Sequence, residues 1–346
     1  MADFTKPIFF PDATRAVVRT LDTKDIEETM TPGILVNTLH VKDLLGTNFS
    51  DIKTFMNWKG LTISDSGGFQ IMSLAKKLGK AGAVTDEGVS FDFNGKTTLL
   101  TPEDSIRFQL QLGTDLMVVL DDFTAPGATY EEAKETVERT IAWAKRCRNT
   151  FDEETKDKNE KPLLIGVVQG GDYMDLRETC AKALAEIGFD GFGYGGWPVK
   201  SDGTFDYEVA KVIADNAPEG YLLYGLGIGK PEDIVGCTKL GFTIFDCVLP
   251  SRDARHGRLY VYDAPTMDEI DLTKPFYHYY NPAKMVNLTD RSPISTACDC
   301  RLCTTTSRAY LAHLWKIKDP VALRLSTIHN LRFYSLLMEK LNKHTD

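Results

Sequence analysis

Short apolar, β-branched runs recur along the chain, separated by longer stretches in which apolar residues return at helical spacing. Leu61–Ser64, Leu116–Leu120 and Leu163–Val168 read as buried strands, as do Gly191–Tyr194, Tyr221–Tyr224 and Thr243–Val248, because each run is too short for a buried helix and is bounded by turn residues. The stretches 131–148, 173–187, 206–216 and 231–240 are amphipathic and read as helices. Two helix starts are marked by Thr101-Pro102-Glu103 and Lys230-Pro231-Glu232-Asp233. Proline sits there in a turn that needs no N–H donor, and the acids face the positive end of the helix dipole. Strand alternating with helix predicts a parallel sheet. Repetition over about 200 residues, with polar residues closing each strand, predicts a (β/α)8 barrel rather than an open sheet. The pattern does not locate the first barrel strand. The charge run Asp152–Lys161 reads as a solvated loop, and 263–297, with its aromatic Phe276–Tyr280, as an irregular connection.

The strand ends carry the chemistry. Asp65 follows one strand, and Asp121 with Asp122 the next. Gln169 with Gly170-Gly171, then Gly195-Gly196, then Gly225–Gly229 close three more, and Asp246 lies at the last. Any one of these reads as a cap or turn residue; a succession at equivalent places reads as the mouth of a barrel, where active sites are built. Two carboxylates in such a mouth are equipped to break a glycosidic bond, one attacking the anomeric carbon and the other handling the leaving group's proton. Asp65-Ser-Gly-Gly68 is also close to a serine-protease nucleophile motif, but Ser64 stands where glycine is needed, His40 lacks the required setting and the chain is α/β. Gly225–Lys230 lacks P-loop spacing, and Pro231 replaces the hydroxyl residue that binds Mg2+.

Composition adds the setting. The 346 residues are 42% hydrophobic and 26% charged, as in a globular protein with a sizeable core. No run is long enough for a membrane span, and the first residues do not read as a signal peptide. Seven cysteines, with three crowded into Cys298-x-Cys300-x2-Cys303, suit a reducing compartment and a metal site better than disulfides, so a cytoplasmic location is expected. Three thiolates call for a fourth ligand to close a tetrahedral zinc site, and His313 and His329 both lie downstream. Cys147, Cys180 and Cys237 read as core. A net charge of −9 argues weakly against a nucleic-acid partner. Residues 301–345, however, hold eight Lys or Arg against Asp319 and Glu339, and Arg252, Arg255 and Arg258 cluster upstream.

Ser64–Leu74 (SDSGGFQIMSL), Gly166–Gly171 (GVVQGG), Gly229–Asp233 (GKPED) and Phe245–Pro250 (FDCVLP) together resemble the tRNA-guanine transglycosylases, or queuine tRNA-ribosyltransferases, from about residue 33 to the C-terminus. The resemblance implies a TIM barrel over 1–262 with part of the C-terminal helices, and a C-terminal zinc-binding subdomain over 263–346. It implies a pentosyltransferase that exchanges a tRNA guanine, at the wobble position of G-U-N anticodons, for a 7-deazaguanine through a covalent ribosyl-aspartate. Asp246 matches the family's nucleophile and Asp65 its general acid/base. Phe69 and Leu226 match the residues flanking the base, and Asp121, Gln169 and Gly196 those reading its edge. Lys230, Asp233, Arg252 and Arg255 match tRNA contacts. Cys298, Cys300, Cys303 and His329 match the ligands of one structural Zn2+, and a homodimer is implied. Three positions depart from the bacterial pattern. Asp122 and Phe123 stand where a glutamate and a cysteine are usual, and Ser201 stands where a glutamate balances a cationic aminomethyl base. Without that acceptor a buried ammonium is costly, which opens the pocket to a neutral base such as 7-cyano-7-deazaguanine or queuine. A DNA-acting relative with the same chemistry and a non-catalytic partner subunit are the alternative readings.

Overall fold

The computed structural model describes residues 3–45, 50–68, 84–93 and 96–343. It begins with β1 (Ile8–Pro11), α1 (Thr23–Glu28), β2 (Gly33–Asn37), α2 (Thr38–Leu45), α3 (Ile52–Met56) and β3 (Leu61–Asp65). A small antiparallel sheet follows, β4 (Val84–Thr85), β5 (Gly88–Phe93) and β6 (Lys96–Leu100), and then α4 (Pro102–Leu112). From there strand and helix alternate: β7 (Leu116–Val118), α5 (Tyr130–Thr155), β8 (Leu163–Val168), α6 (Met174–Ile187), β9 (Gly191–Tyr194) and α7 (Tyr207–Asp215). The run continues through β10 (Leu222–Gly225), α8 (Pro231–Thr238), β11 (Ile244–Cys247) and α9 (Leu249–Arg255). The chain ends with β12 (Leu259–Tyr262), β13 (Tyr277–Tyr280), α10 (Arg301–Thr305), α11 (Arg308–Lys316) and α12 (Pro320–Asn342).

Eight parallel strands run in the order β1-β11-β10-β9-β8-β7-β3-β2. The ends of that order meet. Asp12 forms a parallel bridge with Leu35, and the Ala13 N–H donates to the Leu35 carbonyl at 2.7 Å, so the sheet curls into the expected barrel. Strand residues such as Ile34, Ile63, Met117, Ile165, Phe192 and Phe245 are fully buried, as a sheet covered on both faces requires. At the seam Gly33 is needed for space, since a Cβ there would lie 2.2 Å from the ring of Phe10.

The structure sharpens and corrects the sequence reading. The barrel strands absent from the hydrophobic pattern are β1 and β2; the first is only four residues long. The charge run is not wholly a loop, because α5 continues through Asp152 to Thr155. Arg148 pairs with Asp152 one turn on, Arg107 with Glu154 at 2.9 Å, and the Thr155 hydroxyl donates to the Phe151 carbonyl. The segment 263–297 is not wholly irregular either: β13 pairs antiparallel with β12, matching Tyr260 to Tyr279. No described helix is long and apolar enough to cross a membrane.

The C-terminal helix α12 is buried along most of its length and packs on α9, β12, β1 and α8. Asn330 ties it down, donating to the carbonyls of Pro250 and Arg258 at 3.0 Å and accepting from the Tyr260 N–H at 3.2 Å. Arg324 grips the buried Asp25 of α1 with two hydrogen bonds of 2.7 and 2.9 Å, joining the first helix to the last.

Candidate active site

Strand register explains how two distant aspartates share one opening. Asp65 ends β3 and lies level with Asn37 at the end of β2. Asn37 is buried and donates to Asp65 Oδ2 at 2.7 Å, while the N–H groups of Gly67 and Thr38 donate to Oδ1 at 3.1 and 3.3 Å. Burial nevertheless dominates and lifts the Asp65 pKa to about 7, with the charges of Asp12 and Asp246 adding to the rise. Asp246 stands at the C-terminal end of β11 in the same parallel ring, so both carboxyls open at one end of the barrel.

Asp246 lies on β11, level with Phe10 of β1. Its Oδ1 accepts from the Tyr224 hydroxyl at 2.8 Å and from the Gly227 N–H at 2.9 Å. Both donors fall on Oδ1, and Oδ2 carries no hydrogen bond among the described residues. Burial raises the pKa to about 6, against the pull of those two hydrogen bonds. Such a carboxylate is ionised near neutral pH yet poorly solvated, which suits a nucleophile.

Across the mouth, Gln169 is fully buried at the end of β8 and donates to Asp121 Oδ2 at 2.6 Å. Its carbonyl oxygen accepts from the Thr124 N–H at 3.2 Å, which fixes the amide's orientation. Burial brings Asp121 to about 6. Gly196 has φ +90°, and a Cβ there would come within 3.5 Å of Gln169 Oε1. The Leu226 side chain lies over Gly193 of β9, where an added Cβ would stand 2.8 Å from it. Asp122 turns away from this group: it is buried and paired with Arg139 of α5. Ser201 sits in an exposed turn beyond the Val199–Phe205 bridge. Phe69 lies outside the described residues.

Across residues 2–345 the chain matches the model of a protein family described as queuine tRNA-ribosyltransferase. A Vibrio cholerae protein named queuine tRNA-ribosyltransferase is 37% identical, over 98% of this chain and 86% of the relative. Proteins of the same name from Aliivibrio fischeri and Vibrio vulnificus are also 37% identical, covering 97% and 98% of this chain and 86% of each relative. The chain belongs to the queuine tRNA-ribosyltransferase family. It is therefore a member of a pentosyltransferase family, and the match begins well ahead of residue 33, where the motifs alone placed it.

The remaining site residues of this family member fall into two groups. Lys230 is exposed at the start of α8, and Arg252 is exposed on α9. Asp233 is buried, with the Tyr207 hydroxyl 3.5 Å away. Arg255 is half-buried, and its Nη1 is enclosed without a hydrogen-bond partner among the described residues. The second group is Cys298, Cys300, Cys303 and His329, all buried, whose ligand atoms lie within 4.8 Å of one another. His329 Nε2–H donates to the Tyr260 carbonyl at 2.8 Å, so Nδ1 presents its lone pair to the sulfurs of Cys303 and Cys300 at 3.2 and 3.6 Å. This is the donor set and the locked ring expected of a closed tetrahedral metal site. His313, the alternative ligand, is exposed on α11 and outside the group.

Three supporting residues escaped the sequence reading. Tyr224 looked like strand filling, and Asn37 lay in a stretch the hydrophobic pattern left unassigned. Arg177 looked like one more cation on an amphipathic helix, yet it is buried under the mouth. It donates to the carbonyls of Val168, Gly195 and Gly171 at 2.6, 2.7 and 2.9 Å, and so pins the loops that carry Gln169 and Gly196.

Proposed function

We propose that this protein exchanges the wobble guanine of G-U-N tRNAs for a 7-deazaguanine by double displacement. The observation that carries the reading is Asp246, held through one oxygen in the mouth it shares with Asp65. Oδ2 of Asp246 attacks ribose C1′ and forms an ester as the bond from C1′ to guanine N9 breaks. Protonated Asp65 gives N9 its proton. The incoming base occupies the vacated place, loses its N9 proton to Asp65 and attacks C1′, and the ester breaks to restore Asp246. Asp121 and Gln169 read the base edge, the Gly196 N–H meets its carbonyl oxygen, and Leu226 and Phe69 flank its faces. Lys230, Asp233, Arg252 and Arg255 serve the flanking nucleotides. Cys298, Cys300, Cys303 and His329 would hold one Zn2+, which supplies fold stability when bound.

The exposed turn at Ser201 offers no buried acid for an ammonium, which favours a neutral base. We also read 263–346 as a zinc-bearing unit on a barrel of 1–262, and the protein as a cytoplasmic homodimer. Seven unpaired cysteines and the exposed Met285, Val286, Tyr310 and Ile317 support those two points. The test is incorporation of labelled guanine into tRNA, single-stranded DNA and duplex DNA, followed by competition among the aminomethyl, cyano and queuine bases. Label entering tRNA, displaced best by a neutral base, is expected. Label entering DNA alone, or tRNA exchange undiminished in Asp246→Ala, rejects the reading.

A further inference from the structure

The ring of strands divides the mouth into two unequal arcs. Passing from Asp65 on β3 through β7, β8, β9 and β10 to Asp246 on β11, the chain presents Asp121, Gln169, Gly196 and Leu226 in turn. All the groups suited to a flat base lie on that long arc. Only β1 and β2 complete the circle. With the base on the long arc and C1′ between Asp246 and Asp65, the rest of the nucleotide, its sugar and phosphates, falls on the short arc.

That arc carries a third carboxylate which the catalytic scheme does not use. Asp12 lies two residues beyond Phe10, the partner of Asp246, and bridges Leu35, two residues before Asn37, the partner of Asp65. Side chains alternate along a strand, so these even spacings put Asp12 on the same face of the sheet as Asp246, Asn37 and Asp65. Its Oδ1 accepts from the Thr14 hydroxyl, which fixes the carboxyl's direction. The charges of His40 and Arg255 act on it, and burial raises its pKa.

An ionised carboxylate only accepts hydrogen bonds, and phosphate oxygens also only accept. Beside a phosphodiester, Asp12 therefore finds no donor on the sugar-phosphate backbone except a hydroxyl. Within a polynucleotide the 3′ and 5′ oxygens are esterified, and the 2′-hydroxyl is the one donor the sugar retains. The enclosed, unpaired Nη1 of Arg255 supplies the complementary cation for the adjoining phosphate.

We propose that Asp12 accepts a hydrogen bond from the 2′-hydroxyl of the nucleotide whose base is exchanged, and thereby selects ribose over deoxyribose at that position. The proposal rests on the base-exchange reading above and adds to it the residue that recognises the sugar.

The experiment uses two anticodon hairpins, identical except for guanosine or 2′-deoxyguanosine at the exchanged position, with kcat/KM measured for labelled guanine. A hydrogen bond to a charged acceptor predicts that the full-length wild-type protein prefers the ribose hairpin by about ten- to a hundredfold. Asp12→Ala is expected to lose about that factor on the ribose hairpin and almost nothing on the deoxyribose one, so the preference collapses toward unity. Asp12→Asn, isosteric and able to accept through its carbonyl, is expected to keep a reduced preference and covers the case in which the alanine variant folds poorly. Thr14→Val, which keeps the carboxylate but frees its direction, is expected to keep a reduced preference. Equal use of both hairpins by the wild type overturns the proposal, as does an unchanged preference in Asp12→Ala; a role confined to holding the Thr14 turn would slow both substrates alike. Exchange into neither hairpin by the wild type is a separate outcome, and brings down the base-exchange reading together with this one.

Discussion

Tyr224 and Gly227 both donate to one oxygen of Asp246, the proposed nucleophile, and both hydrogen bonds survive replacement by asparagine. Asp246→Asn is therefore expected to lower exchange by at least about a thousandfold without disturbing the fold. It should also stabilise the protein at neutral pH. The folded-state pKa of Asp246 is raised to about 6, so its ionisation costs stability as pH climbs from the ordinary carboxylate range through 6. A side chain that cannot ionise escapes that cost. The gain, about 1–3 kcal/mol, should be full above pH 6 and gone near pH 4, as thermal unfolding at the two pH values will read. Activity has its own pH signature. In the proposed scheme Asp246 attacks ionised and Asp65 releases guanine protonated, so kcat/KM should rise through about 6 and fall above about 7. These limits belong to the coupled pair; a flat profile from pH 5 to 8 would contradict the division of roles. The carboxylates were legible in the sequence because charged residues closing apolar runs stand out. Asn37 and Tyr224 were not, since only the folded register shows whom they serve.

Among the elements, α6 carries the least visible responsibility. Its amphipathic pattern announced a surface helix, and nothing in the periodicity separates Arg177 from a solvated cation. Yet that guanidinium donates to three backbone carbonyls under the mouth, and its removal takes a donor from each, leaving Val168 only the Gly195 N–H at 3.1 Å. Arg177→Met is expected to cost about 3 kcal/mol and to raise KM for the base more than it lowers kcat, because the loops of Gln169 and Gly196 lose their anchor. Denaturant midpoints and steady-state kinetics check both halves. Element boundaries were legible to within a residue or two where runs were long and β-branched, as in β8. They failed where side-chain pairing overrides composition. Polar Asp152–Thr155 stays helical through its ion pairs, and Tyr277–Tyr280 becomes a strand because β12 offers a matching edge.

Across the whole molecule, the metal group and the barrel are tied by one helix. His329 sits midway along α12, whose neighbours include the barrel strand β1 and α9. Stripping the metal with a chelator is expected to lower the melting temperature by several degrees before exchange is lost, with one zinc per chain by elemental analysis and recovery on adding zinc back. Loss of exchange at unchanged thermal stability would place the ion in the chemistry instead. The cysteine spacing made this group legible from the sequence alone and the resemblance chose His329; the fold adds the reason, since α12 turns His329 inward while His313 is exposed on α11. The seam between β1 and β2 has a consequence for assembly. The first strand finds its other neighbour in β11, the last of the ring, so enclosure waits until nearly 250 residues have been made. The arriving strand brings Asp246 with it. A partly synthesised chain thus lacks the proposed attacking group, which arrives in the same event that seals the cylinder.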